Sequence, residues 1–291
     1  MKEYTLEANP EDLTNDYLSF LNGTPINRLS IGVQSFFDEH LNWMNRTHNG
    51  ADALNAIKRA QDKGLSNISL DLIYGIPGLT NKQWDQNMKT VFDLEINHLS
   101  SYSLTVEPRT ALAKMISSQK LKEPNEEKAR THFEMLTKAM KENGFEHYEI
   151  SNFAKAGKYA LHNTNYWRGI PYIGFGPGAH SFSDRKRSWN VSNNQQYIKG
   201  ININLPITEF EELKDKDLFN EYIMTHLRTK WGCHIQEIIE RFGSKRLEHL
   251  QNEISKYIDQ NLIEQKDQLY ILTEKGKFFA DGITASLFVT E

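Results

Sequence analysis

The sequence predicts an α/β protein whose parallel sheet is built from βα units, followed by a small winged-helix-like α+β domain. Three observations predict it. Up to about Glu107, four β-rich runs alternate with longer stretches that carry helix signals. The polar residues that close or follow those runs, Glu7, Gln34, Asp71 and Thr105, are separated by 27, 37 and 34 residues, and one βα repeat consumes ~30 or more. Beyond Pro206 the chain reads helix, helix, helix, hairpin, helix.

The four runs are Tyr4–Ala8, Arg28–Val33, Ile68–Tyr74 and His98–Leu104. Between the second and third, Asn49–Lys63 places Ala53, Ile57 and Ala60 on one helical face and stops at Gly64, a natural C′ glycine. Thr80 and Gln83 have capping-box spacing before a helix whose apolar positions include Trp84, Met88, Val91 and Phe92. A third helix follows Pro124, with Ala129, Phe133, Leu136 and Met140 on one face and Asn143-Gly144 at its end. Then come an expected strand at His147–Phe153 and a turn-rich region from Ala154 to Asn194. The asparagine-rich stretch Asn190–Asn204 marks the passage between domains, expected at 1–205 and 206–291. In the second domain Leu247, Leu250, Ile254 and Ile258 line one helical face, and Leu262–Lys266 and Leu269–Thr273 form the hairpin.

A chain of 291 residues is long enough for two domains. With 38% hydrophobic and 25% charged residues and a mean hydropathy of -0.62, its composition is that of a globular protein, not a disordered one. No stretch approaches the 18 or more apolar residues of a membrane span, and the first ten residues lack the order of a signal peptide, so stable membrane insertion is not expected and the expected compartment is the cytoplasm. The net charge of -4 offers no global basic field. A winged-helix plan often binds DNA, but residues 206–291 carry 11 Lys/Arg against 16 Asp/Glu, which phosphate would repel, so nucleic acid is not an expected partner. The single cysteine, Cys233, excludes a site of three or four thiolates built from this polypeptide alone.

In a barrel of parallel strands, residues at successive C-terminal strand ends point into one mouth. Glu7, Gln34, Asp71 and Thr105 would then share one site; equally, each could serve only its own loop. Two further signals lie downstream. His162–Trp167 (HNTNYW) gathers an imidazole, two amides and two aromatic rings. Tyr172–Phe182 (YIGFGPGAHSF) holds glycines at 174, 176 and 178, which suit either close approach of backbone to a ligand or a structural turn.

Glu7–Pro10 (EANP), Gly32–Phe36 (GVQSF), Asp71–Pro77 (DLIYGIP), Tyr102–Pro108 (YSLTVEP), Tyr148–Ala154 (YEISNFA), HNTNYW and Gly174–Phe182 (GFGPGAHSF) occur in this order along the chain. As a set they resemble the oxygen-independent coproporphyrinogen III oxidase family of radical S-adenosylmethionine (radical SAM) proteins, and within it the HemW, haem-chaperone branch. The resemblance implies a partial (β/α)6 radical SAM barrel with a C-terminal winged-helix-like α+β domain. It also implies that Glu7 and Asp71 contact the ribose of S-adenosylmethionine, that Gln34 hydrogen-bonds the cofactor and that Arg46 pairs with its carboxylate. Thr105 and His180 fall where the family makes further cofactor contacts. These roles suit the residue types, since a guanidinium grips a carboxylate bidentately and carboxylates accept from ribose hydroxyls. No catalytic residue is assigned.

For HNTNYW the resemblance implies haem binding, with His162 as axial ligand to the iron and Tyr166 and Trp167 covering the macrocycle; neutral imidazole is a common haem ligand. Haem would pass from the cytoplasm to membrane respiratory proteins. The alternative is an oxygen-independent coproporphyrinogen III oxidase, which decarboxylates two propionates of the porphyrinogen to vinyl groups; its members do not generally carry this motif. The family also begins with a CxxxCxxC loop that binds a [4Fe-4S] cluster, and this chain has no such loop. Met1 stands close to where the family's third strand would start. The expectation is therefore that cluster and radical chemistry belong to a fuller form, and that this chain alone is inactive as an enzyme.

Overall fold

In the computed structural model, which describes residues 2–290, the chain forms two compact units, one up to Ala160 and one from Leu161 onward. Met1 and Glu291, the outer limits of the expected domains, lie outside the described residues. The break at Ala160 differs from the expected boundary after residue 205. A cut there would sever a sheet, because Lys186–Asn190 pairs antiparallel with Thr208–Glu212.

In the first unit β1 (Thr5–Ala8) is followed by α1 (Asn15–Leu21), β2 (Arg28–Gln34), α2 (Asp38–Trp43), α3 (Gly50–Asp62), β3 (Ile68–Tyr74), α4 (Asn81–Asp93), β4 (His98–Ser103), α5 (Ala111–Ser117), α6 (Glu126–Glu142), β5 (Phe145–Glu149) and β6 (Asn152–Lys155). The sheet order is β1-β2-β3-β4-β6-β5, parallel from β1 to β4. The helix signals correspond to real caps. Thr80 and Gln83 close a capping box at α4, Asn49 and Asp52 close another at α3, and Gly64 and Gly144 follow α3 and α6 at φ +83 and +77.

The strand expected at His147–Phe153 is two strands, β5 and β6, joined through Ile150-Ser151. So short a turn permits only a hairpin, since a parallel neighbour needs a crossover of a dozen or more residues. The sheet therefore ends with β6 antiparallel to β4.

Period-two alternation gives the parallel strands two chemically different faces. Leu29, Ile31, Val33, Leu70, Leu72 and Leu99 are fully buried, as are Ala53, Ile57 and Ala60 of α3, Trp84 of α4 and Leu136 of α6. The alternate positions are polar: Thr5 and Glu7, Arg28 and Ser30, Ser69 and Asp71, His98 and Ser100. Register places Glu7 beside Ser30, Ser30 beside Ser69, and Asp71 beside Ser100. At the base of this polar face the Ser69 hydroxyl lies 2.6 Å from His98 Nδ1, and His98 Nε2 lies 2.8 Å from the Tyr148 hydroxyl. Burial pushes the His98 imidazole down to about 3, so this chain of hydrogen bonds runs through a neutral ring.

The second unit opens with α7 (Leu161–Trp167), a helix where turns were expected. Next come β7 (His180–Ser183), β8 (Lys186–Asn190), α8 (Asn194–Asn202) and β9 (Thr208–Glu212), with β7, β8 and β9 forming one antiparallel sheet. The winged-helix-like part contains α9 (Asp215–Leu227), β10 (Cys233–His234), α10 (Ile235–Phe242), α11 (Ser244–Asp259), the β11–β12 hairpin (Ile263–Lys266 and Leu269–Leu272), α12 (Glu274–Lys277) and α13 (Ala280–Ser286). On α11, Leu250 and Ile254 are buried as expected, whereas Ile258, in the last turn, is 36% exposed. Among the described residues no helix is long and apolar enough to cross a membrane.

Candidate functional site

The polar face opens into a hollow of about 310 Å³ lined by Glu7, Ala8, Asn9, Asp12, Ser30, Gly32, Gln34 and Asp71. Three of the expected nucleoside contacts, Glu7, Gln34 and Asp71, thus line one space. Each arrives by a different local route. Glu7 is an exposed side chain on β1, the edge strand. Asp71 is not at a strand end, as the spacing suggested, but is the fourth residue of β3, turned inward by alternation. Gln34 takes φ +68, a conformation uncommon outside glycine, where the β2–β3 register shifts between Ile31 and Gln34.

Arg46 reaches the rim from the segment after α2. Its Nη2 donates to Asn9 Oδ1 at 2.6 Å and to the Gly32 carbonyl at 2.9 Å. Gly32 lets these side chains pack close to the backbone: a Cβ there would stand 3.0 Å from the Gln34 side-chain nitrogen and 3.3 Å from Arg46 Nη2, and both side-chain ends would have to shift by a few tenths of an ångström. Thr105 lies exposed beyond β4 and is not among the residues lining the hollow. His180 is exposed on β7, in the second unit.

Asp71 is the electrostatic centre of the first unit's site. Burial raises its carboxyl to about 6, aided by the negative Glu7 and opposed by hydrogen bonds from Ser100 and Ser30 and by the Arg28 cation. Tyr102, on the same face, has its phenol pushed up by burial and by Asp71. Arg28, Ser30 and Ser100 were absent from the motif reading, although their alternation with leucines and isoleucines was a usable signal. Carboxylates, an amide and hydroxyls around a nucleoside-sized hollow fit the hydroxyls and amine of a nucleoside cofactor.

A three-thiolate cluster does not fit the described residues. Cys233, the only cysteine, is fully buried on β10 with its thiol pushed up by burial. Among the described residues no group of three or more His, Cys, Asp or Glu is placed to hold a metal ion.

The second constellation lies on α7. His162 and Tyr166 share one helical face, with the imidazole Nε2 3.0 Å from the Tyr166 hydroxyl and the rings edge-on at 4.6 Å. The edge-on packing continues from Tyr166 to Tyr172 at 4.5 Å. Trp167, next in the chain, stands under the Arg228 guanidinium at 5.5 Å. His162 and Tyr166 are exposed, which an incoming planar ligand requires.

Residues 1–91 match the family model of the radical SAM superfamily, and residues 213–279 match the HemN C-terminal domain. The fold is thus that of a radical SAM superfamily protein with a HemN-type C-terminal domain. The chain is similar to the heme chaperone HemW of Bacillus subtilis, at 34% identity over 97% of this chain and 75% of the relative. It is likewise similar to the heme chaperone HemW of Lactococcus lactis, at 30% identity over 95% of this chain and 73% of the relative. The chain belongs to the heme chaperone HemW family. The solved structure of HemN, a coproporphyrinogen III oxidase from Escherichia coli, superposes with a TM-score of 0.80 over 99% of this chain and 70% of that one; at 19% identity the likeness is one of fold.

Proposed function

We propose that this protein binds haem through His162 of α7 and passes it on to membrane respiratory acceptors, working in the cytoplasm. The observation that carries the reading is an exposed imidazole on a short helix, flanked by the Tyr166–Tyr172 aromatic pair, in a chain whose relatives are named heme chaperones. Neutral imidazole is a competent axial ligand, and aromatic rings can pack on a macrocycle. Haem is here the cargo, held and then released.

In the first unit, Glu7 and Asp71 would hold ribose hydroxyls of S-adenosylmethionine, Gln34 would hydrogen-bond the cofactor, and Arg46 would face its carboxylate. Thr105, exposed beyond β4 in the same unit, is a further contact of the same proposal. When bound, S-adenosylmethionine supplies a sulfonium and a nucleoside anchor. The protein's own contribution is to orient it with Asp71, whose carboxyl burial raises to about 6. A [4Fe-4S] cluster would belong to a form that carries the thiolates, so no step is assigned to it.

The test is a titration with ferric haem followed by absorbance, comparing the protein with His162→Ala. The reading expects the variant to lose the Soret shift and at least tenfold in affinity. An unchanged band and affinity would remove His162 as ligand.

A further inference from the structure

The second unit contains a cavity of about 530 Å³ whose wall includes Tyr166, Trp167, Arg168, Tyr172, Arg187 and Tyr222. It begins where α7 ends. Tyr166 belongs both to this wall and to the His162 contact, so the cavity opens one helical turn from the proposed iron ligand. That volume is typical of small-molecule sites. One side is aromatic, the Tyr166, Tyr172 and Phe182 rings following one another at 4.5 and 6.2 Å.

The cations on the wall are not equivalent. Arg187 is held by Glu221 and, at 3.3 Å, by Glu211. Arg241 is held by Glu237 at 2.7 Å. Arg168 instead lies over the face of Trp231 at 4.7 Å and has no carboxylate partner among the described residues. A guanidinium stacked on an indole is held in place by cation–π attraction while its N–H groups stay available. In addition, the buried Nε1 of Trp167 has no hydrogen-bond acceptor among the described residues, an arrangement that normally points to a missing partner.

We infer that this cavity takes the carboxylate-bearing edge of the tetrapyrrole, with Arg168 gripping a propionate while His162 holds the iron. This inference rests on the haem reading and adds to it a second anchor that recognises charge. It makes the site selective for free propionates, because an esterified edge offers the guanidinium no anion.

The experiment titrates the protein and its Arg168→Gln and Arg168→Lys variants with three probes: ferric haem, ferric haem dimethyl ester and metal-free mesoporphyrin IX. Far-ultraviolet circular dichroism confirms that the variants fold. Losing a charge-assisted hydrogen bond should weaken haem binding about tenfold in Arg168→Gln, with the Soret maximum unmoved and affinity for the ester unchanged. Arg168→Lys should recover part of the loss. Equal haem affinity of wild type and Arg168→Gln, or equal loss for acid and ester, overturns the inference. If the wild type binds no haem, the iron-ligand reading fails, and mesoporphyrin fluorescence decides the cavity separately. Binding that falls tenfold in Arg168→Gln supports it; absence of binding, or binding indifferent to Arg168, overturns it.

Discussion

The Nε2 of His162 lies 3.0 Å from the Tyr166 hydroxyl, and the two rings meet edge-on one helical turn apart. If His162 ligates iron through Nε2, this hydrogen bond must first be released. Tyr166 then acts as a latch on the ligand as well as a wall of the cavity behind it.

Tyr166→Phe keeps the ring and removes the latch. A hydrogen bond of this kind contributes about 0.5–1.5 kcal/mol, so haem affinity should rise about two- to tenfold, with the faster on-rate visible in stopped-flow absorbance. A fall in affinity would assign the hydroxyl to the bound state instead.

Asp71 makes stability depend on pH. Its folded carboxyl is raised from 3.8 to about 6, so the folded protein binds the proton more tightly than the unfolded chain does. The stabilising effect is complete below pH 3.8 and is lost as pH rises through 6. At pH 7 the ionised carboxylate therefore destabilises the fold, by an upper limit of about 3 kcal/mol. Asp71→Asn should stabilise the protein in urea at pH 7.5, and the gain should shrink steadily as pH falls from 6 toward 4. A gain independent of pH would contradict the assignment.

Arg46 holds two acceptors at the rim of the nucleoside hollow, Asn9 and Gly32. Arg46→Ala leaves both without this donor, a loss of about 1–3 kcal/mol. Its urea midpoint should fall accordingly, and equilibrium dialysis should show weaker S-adenosylmethionine binding. Lysine, a point charge without the fork, should restore only part of either.

Tyr148 closes the buried hydrogen-bond chain through His98 and Ser69. Its side chain is fully buried, so Tyr148→Phe leaves an imidazole nitrogen unpaired in the interior. The expected loss in unfolding free energy is about 1–3 kcal/mol, with haem affinity unaltered because the network lies in the other unit.

Much of this was legible in the sequence because it is local. The four parallel strands, the capping box at α4 and the closing glycines follow from nearby residues alone, and the structure places them within a few residues of the expected positions. The hairpin at β5–β6 reads as one strand in the sequence because Tyr148, Ile150 and Phe153 run through it and the two-residue turn Ile150-Ser151 carries no glycine or proline. Helix α7 was missed because His, Asn, Thr, Tyr and Trp are all indifferent helix formers; packing, beginning with buried Thr164, must supply what propensity does not. The join between Arg46 and Asn9 crosses 37 residues and three elements, α1, β2 and α2, and no periodicity reports it. Asp71 was assigned to a strand end, whereas alternation along β3 turns it into the hollow from mid-strand.

The central claim is that His162 binds haem iron directly, and it is tested most directly by replacing the imidazole and then returning it. His162→Gly should bind ferric haem without the wild-type Soret band, and millimolar free imidazole should restore that band. A His162→Gly protein with the wild-type spectrum before imidazole is added would contradict it.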